Sequence, residues 1–398
     1  MTITKEHMNI NEILRKHALW LSSEGRKGEQ ADLTDANLNG ADLTGADLRK
    51  AILTGASLIK ADLTEAKLDG ACLEKANMEG VKLNRASLSG TSFDEADLSK
   101  AELKDVELDY TSFAKATLKR AYFREVNARN ANFHGSDLSC ANIYVSSFTK
   151  CDFSLATAVC EKHGYMDDTL CLHLCVFKNC NLRAIQWNDS HLYETRFLHS
   201  ELVHSEFQLA DFIKVIFCRC DMKGFQADDS KMDLVSIWRC KAINISMNDA
   251  GLHNSHIKGC DFRDGKFKGT VFSYVKLLNT DLSSAILTSA NMRTTHLGKG
   301  VRIATAYVYG LIPPSGMMVV AGLGSENRYT AYDAVNDMVC CGCWKGDTNS
   351  LDEFKARVEH VYGDDSVESN KLYYEQYMML VNTFINYRTT YKRHTEER

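Results

Sequence analysis

Apolar residues recur at every fifth position from residue 31 to about residue 300. Leu33, Leu38, Leu43, Leu48, Leu53, Leu58, Leu63, Leu68 and Leu73 open the series, and a small residue stands two places before each, beginning with Ala31, Ala36, Ala41 and Ala46. The three intervening positions are mostly polar or Gly. A period of five fits neither the 3.6 of a helix nor the 2.0 of a strand. It fits a chain that turns a corner every five residues, with the apolar centre and the small residue inward and three residues outward. Four corners close a square coil of twenty residues. That geometry predicts ladders at twenty-residue spacing: Phe93, Phe113, Phe133 and Phe153, then Phe177, Phe197 and Phe217, with Cys220, Cys240 and Cys260 in the small inward position.

The centres run from Leu33 to Ala158 in one register, then from Leu172 to Leu297 in a register shifted by one. The break predicts a loop over 159–169 that leaves the coil, and divides the chain into 1–30, 31–158, 159–169, 170–300 and 301–398. In the first segment Ile10, Ile13, Leu14, Ala18 and Leu21 have helical spacing, with Asn9 as N-cap and Glu12 placed for a capping box. This helix, with Trp20, is expected to cover the open edge of the first coil. From about Gly300 the fivefold pattern stops, and the remainder reads as an α+β domain. Met317–Ala321, Tyr329–Tyr332 and Met338–Trp344 read as strands. A helix opens at Ser350 with Glu353 three residues on, and a second runs from about Asn370 to Tyr387. Tyr373, Tyr374, Tyr377, Met378, Met379, Val381 and Phe384 on that last helix form an apolar surface suited to homodimerisation or to capping the coil.

The A-(D/N)-L-x-x unit, seen four times in ADLTDANLNGADLTGADLRK (residues 31–50), resembles the pentapeptide-repeat family. The resemblance implies a mainly β fold, a right-handed quadrilateral β-helix or solenoid, here with an N-terminal helical cap and a C-terminal α+β domain. Residues from CGCWKGD onward resemble a C-terminal module found after pentapeptide runs in phage and bacterial proteins. Some members of the family imitate duplex DNA in width and charge and occupy the DNA-binding saddle of gyrase-type topoisomerases. That implies a non-enzymatic protein-binding rod, phage-encoded, acting as a DNA-mimic-like inhibitor of a host DNA-handling enzyme (gyrase or topoisomerase) or defence protein. The alternative is a structural or adaptor scaffold that displays the C-terminal domain.

The 398 residues carry 44% hydrophobic and 25% charged residues and a net charge of −5. This balance points to no direct nucleic-acid partner. Residues 31–110 hold sixteen acids against nine bases, a net −7, densest at Asp94, Glu95, Asp97, Glu102, Asp105, Glu107 and Asp109. These seven are the candidate acidic binding face. His163, Tyr165, Asp167 and Asp168 are the candidate contacts on the protruding loop, since long loops on rigid scaffolds often carry binding. Tyr165-Met166-Asp167-Asp168 also spells a polymerase-palm metal motif, but no third carboxylate accompanies it. Cys171, His173 and Cys175 alternate about the inward Leu172, so they do not converge on one metal. No catalytic constellation, metal site or cofactor is expected. The N-terminus has no apolar stretch of signal-peptide length and no run suits a membrane span. Fourteen cysteines, several in the small inward slot, fit a reducing compartment, the cytoplasm of a bacterial host.

Overall fold

The computed structural model describes residues 9–158, 169–303, 306–309, 311–323, 328–341, 350–363 and 368–396. The fold is mainly β: a parallel β-solenoid with an N-terminal helix, C-terminal helices and a small antiparallel sheet. The chain divides into two compact units, Met1–Asp211 and Phe212–Arg398.

In the first unit each centre, away from the register break, stacks on the residue twenty positions on. Leu33 N–H donates to Ile52 O at 2.7 Å, and Ile52 N–H donates to Ala31 O at 2.9 Å. The same exchange repeats on four walls, which we number from those of Leu33, Leu38, Leu43 and Leu48. The centres are almost wholly buried, which removes the largest apolar side chains from water at about 1.5–3 kcal/mol each. Phe93, Phe113, Phe133 and Phe153 stack on one wall, with ring centroids 5.0, 4.9 and 4.5 Å apart and planes within 12°. Phe177 and Phe197 stack likewise at 5.1 Å.

The last residue of each five-residue unit takes a left-handed backbone. Gly40 has φ +63°, but Lys50 (+60°), Glu65 (+61°) and Val145 (+49°) adopt it too. The corner therefore imposes the conformation whatever the side chain. Several polar residues in the small inward slot are satisfied by the previous coil, although the Ser136 hydroxyl has no partner among the described residues. Thr91 and Thr111 hydroxyls donate to Leu68 O and Leu88 O at 2.8 Å, and the Cys175 thiol donates to Ile143 O at 3.1 Å.

The helix Ile10–Ser22 precedes the coil. Asn9 Oδ1 accepts from Glu12 N–H at 3.3 Å, but the Glu12 carboxylate is held by Arg15, so the capping box is half formed. His17, rather than Trp20, reaches the first coil: its Nδ1 accepts from Ala31 N–H at 3.0 Å and its Nε2 lies 3.1 Å from Arg49 O. Trp20 stacks behind it with centroids 5.6 Å apart.

At the register break, Asn142 pairs with Cys171 and Asp152 with Asn181, each 29 residues apart instead of 20. Nine residues are thus inserted into one coil. Ala158 is the last centre before them, and Leu170 is already back in the buried inward slot, with its carbonyl accepting from His191 N–H at 2.8 Å.

In the second unit two walls have extended rungs. One comprises Lys231–Asp233, Gly251–His253 and Val271–Ser273. The other comprises Ile216–Cys218, Ser236–Trp238, His256–Lys258, Lys276–Leu278 and His296–Leu297. The ladder does not end at Gly300, where the fivefold reading does. Asp281 bridges Arg302, Ile286 bridges Tyr307 and Asn291 bridges Ile312, each 21 residues apart. One extra residue in the corner around Gly298–Gly300 slips the register again. Ile303 and Val308 become buried centres, and Val301 and Leu311 fill the inward slots two places before the centre positions. Pro313 and Pro314 follow at once, where a missing N–H no longer interrupts a ladder.

The remaining module is a three-stranded antiparallel sheet, Met317–Leu323, Arg328–Asp333 and Met338–Cys341, with helices Leu351–Tyr362 and Glu368–Glu396. Ser350 and Glu353 form the expected capping box. Tyr332, Leu351, Phe354, Tyr377, Val381 and Phe384 make its core. The apolar surface proposed for dimerisation is thus largely consumed inside the module, with Tyr373, Tyr374 and Met378 packed against the core and Met379 left 61% exposed. Asn336 ties the module to the coil, accepting from Gly300 N–H at 2.9 Å.

Candidate functional site

The seven acids of the candidate face do not share a face. Asp94 and Glu95 lie on the first wall, Asp97 on the second, Glu102 and Asp105 on the third, and Glu107 and Asp109 on the fourth. They encircle a single coil, because sixteen consecutive residues pass four corners. Several are also engaged. Asp94 accepts from the Ser112 hydroxyl and from Ala114 N–H, Glu95 pairs with Lys75 at 3.9 Å, and Asp97 accepts from Ser99 N–H at 2.9 Å. Glu107 and Asp109 line a depression with Asn127, Arg129, Ser147 and Thr149, so a cation shares their surroundings. His163, Tyr165, Asp167 and Asp168 lie outside the described residues.

The structure brings together a different set. On the third wall the rungs Tyr122–Arg124, Asn142–Tyr144, Cys171–His173 and His191–Tyr193 pair in parallel. Their outward rings form a continuous strip. Tyr122 and Tyr144 have centroids 5.7 Å apart, Tyr144 and His173 5.8 Å, and His173 and Tyr193 4.8 Å. Beside them, at the corners, Val145 is 51% and Leu174 42% exposed. Val145 is the sole β-branched residue with positive φ among the described residues. Such a backbone disfavours a branched side chain, and strain of this kind gathers where a surface serves a purpose. The third of these rungs directly follows the inserted segment, whose return is marked by the buried Leu170. From Tyr144 through His173 to Tyr193 the signal was present in the sequence as an aromatic column at twenty-residue spacing, once the nine-residue insertion is subtracted, and Tyr122 joins it from two residues out of that register.

Cys171 and His173 point outward while Cys175 is buried, so these three do not converge. Burial pushes the Cys175 thiol up to about 12, and the Cys240 thiol, hydrogen-bonded in the Cys220–Cys260 column, also to about 12. They behave as compact core residues. Among the described residues no helix is long and apolar enough to cross a membrane.

A solenoid whose rigid walls carry side chains at fixed intervals is a repeat scaffold. Residues 76–153 match the family model described as pentapeptide repeat region, and 29–70, 41–80 and 266–297 match pentapeptide repeats (8 copies). Residues 29–153 and 266–297 are thus pentapeptide-repeat sequence. Similar solved structures include HetL of the cyanobacterium Nostoc sp. strain PCC 7120, a protein involved in heterocyst differentiation regulation. It is 20% identical over 77% of this chain and 94% of its own, with a TM-score of 0.21. A trypsin-treated form of QnrB1, a plasmid-mediated fluoroquinolone resistance protein, is 16% identical over 63% of this chain and 91% of its own, TM-score 0.26. A protein of the Arabidopsis thaliana thylakoid lumen is 30% identical over 24% of this chain and 64% of its own, TM-score 0.19. No curated protein matches the sequence.

Proposed function

We propose that this protein is a non-catalytic binding scaffold whose first unit docks a protein partner on the aromatic strip of its third wall. The observation that supports this reading is the run of touching rings from Tyr122 to Tyr193, with Val145 and Leu174 held exposed beside it. Rigid aromatic side chains give large contact area at small entropic cost, and interface hot spots are enriched in them. Arg124, Glu125 and Glu194 flank the strip and supply the polar rim such contacts use.

The narrower reading, a DNA-like inhibitor directed at a gyrase-type topoisomerase or defence protein of a host, draws on the acidic cluster. It has less support, because acids spread over four walls do not imitate a row of phosphates. One comparison separates the two. Tyr144→Ala with Tyr193→Ala, and separately Glu102→Gln with Glu107→Gln and Asp109→Asn, are compared with wild type for capture of a partner from bacterial lysate and for competition with DNA for gyrase. Loss of the captured partner in the aromatic variant alone supports the proposed wall. Salt-sensitive competition for gyrase that disappears only in the acidic variant replaces it with the DNA-like reading.

A further inference from the structure

One wall of the second unit carries outward cations and no outward acid. Its rungs Ile216–Cys218, Ser236–Trp238, His256–Lys258, Lys276–Leu278 and His296–Leu297 pair in register, Cys218 with Trp238 and Trp238 with Lys258. Its outward cations are Arg219, Arg239, Lys258 and Lys276, accompanied by His256 and His296, and no acid occupies an outward position on these rungs. Arg239, Lys258 and Lys276 have no ion pair among the described residues. On the adjoining walls Asp261, Asp221, Asp281 and Asp233 are turned to their own neighbours, Asp233 accepting from the Asn254 amide at 3.0 Å. Asp261 takes two bonds from Arg263 at 2.7 and 2.8 Å, Asp221 accepts from Lys223 N–H at 3.2 Å, and Asp281 accepts from Ser283 N–H at 2.9 Å. Amid the cations Trp238 stands 42% exposed.

We infer that this wall binds the backbone of a single-stranded nucleic acid, with Trp238 stacking on a base. Cations of one sign on a rigid face suit a chain of phosphates, and an exposed indole among them gives the sequence-tolerant stacking that single strands offer and duplexes hide. Five rungs at about 4.8 Å span about 19 Å. At the duplex per-strand spacing of about 3.4 Å that length spans roughly six nucleotides, and fewer of an extended single strand. The whole-chain charge of −5 averages over this wall and conceals it. The site uses residues of the second unit only, so it stands or fails independently of the aromatic strip.

The test is fluorescence anisotropy of a labelled oligothymidylate of about twelve nucleotides with the full chain, the wild type against three variants. If four phosphates are contacted, each contributes about −0.7 to the salt slope, so raising salt from about 50 to about 200 mM should weaken binding about fifty-fold. Arg239→Gln, Lys258→Gln and Lys276→Gln together should remove most of that slope. Lys241→Gln, Lys266→Gln and Lys268→Gln, on other walls, should leave it unchanged. Trp238→Ala should weaken binding about five-fold or more. Circular dichroism confirms that the variants fold, since all the substituted positions point outward. The proposal is overturned by no binding at about 50 mM salt, by equal loss in both triple variants, or by a duplex binding as tightly as the single strand with Trp238→Ala silent. Equal competition by polyglutamate also overturns it, assigning the wall to an acidic protein instead.

Discussion

The stacked phenylalanines give the sharpest test of how this coil is held together. Phe113 lies between Phe93 and Phe133, with centroids at 5.0 and 4.9 Å and nearly parallel planes. Replacing Phe113 or Phe133 by Leu keeps an apolar side chain of similar volume, so each single change should cost less than about 1.5 kcal/mol beyond the lost ring contacts. The ring–ring term itself is about 0.5–1.5 kcal/mol per pair. Phe113→Leu, Phe133→Leu and the double variant form a cycle whose coupling should fall in that range. Phe93 and Phe153 share the wall but stand three rungs apart, about 14 Å, and their cycle should be additive within about 0.5 kcal/mol. Urea unfolding followed by circular dichroism measures both cycles. Coupling between Phe113 and Phe133 no larger than between Phe93 and Phe153 would refute a wall stabilised rung by rung.

His17 accepts from Ala31 N–H on Nδ1, so the neutral ring with its proton on Nε2 fits the site, and burial holds its pKa below the ordinary 6.5. The unfolded chain therefore takes up this proton first, and the stability is present above about pH 6.5 and lost as pH falls below it. His17→Gln should lose less stability than wild type between about pH 7.5 and about pH 5.5, read from urea midpoints; parallel losses would contradict the assignment. Val145→Gly should raise stability by roughly 0.5–1 kcal/mol, the left-handed strain of about 1–2 kcal/mol less the added chain entropy, while weakening partner capture; a lower melting temperature would argue against strain there. Cys175 and Cys240, with thiols near 12, should resist iodoacetamide in the native protein and react after unfolding, as peptide mass mapping will show. Truncation after Gly300 should destabilise the coil more than truncation after Ile312, because it removes the rung that bridges Asp281, Ile286 and Asn291; equal melting curves would count against that rung.

The coil was legible because its physics is periodic. Inward Leu and Phe at fixed spacing leave the chain no other way to bury them, and the Phe93–Phe153 column followed directly. What escaped notice were single-residue events and sums over the wrong coordinate. The slip near Gly298 hid the rung at Ile303 and Val308, since one extra corner residue moves every later centre. His17 was missed because a buried polar ring looks like an exception to an apolar helix face. Charges were added along the chain, which grouped Asp94 through Asp109, although the coil sends neighbours in sequence to different walls. Summed instead wall by wall, the same residues disperse, while Arg219, Arg239, Lys258 and Lys276 collect on one wall. The C-terminal module was legible in its capping box at Ser350, but the sequence does not say which face of its last helix is already covered by the module's own sheet.

The left-handed corners have a bearing on how this surface can change over time. At those positions the backbone accepts Gly, Lys, Glu, Leu or Val with similar φ, and the ladder hydrogen bonds that recur along the coil run between main-chain atoms. Decoration and architecture are thereby uncoupled. A lineage can repaint one column of side chains from acid to base, or from polar to aromatic, while the frame beneath it keeps its dimensions.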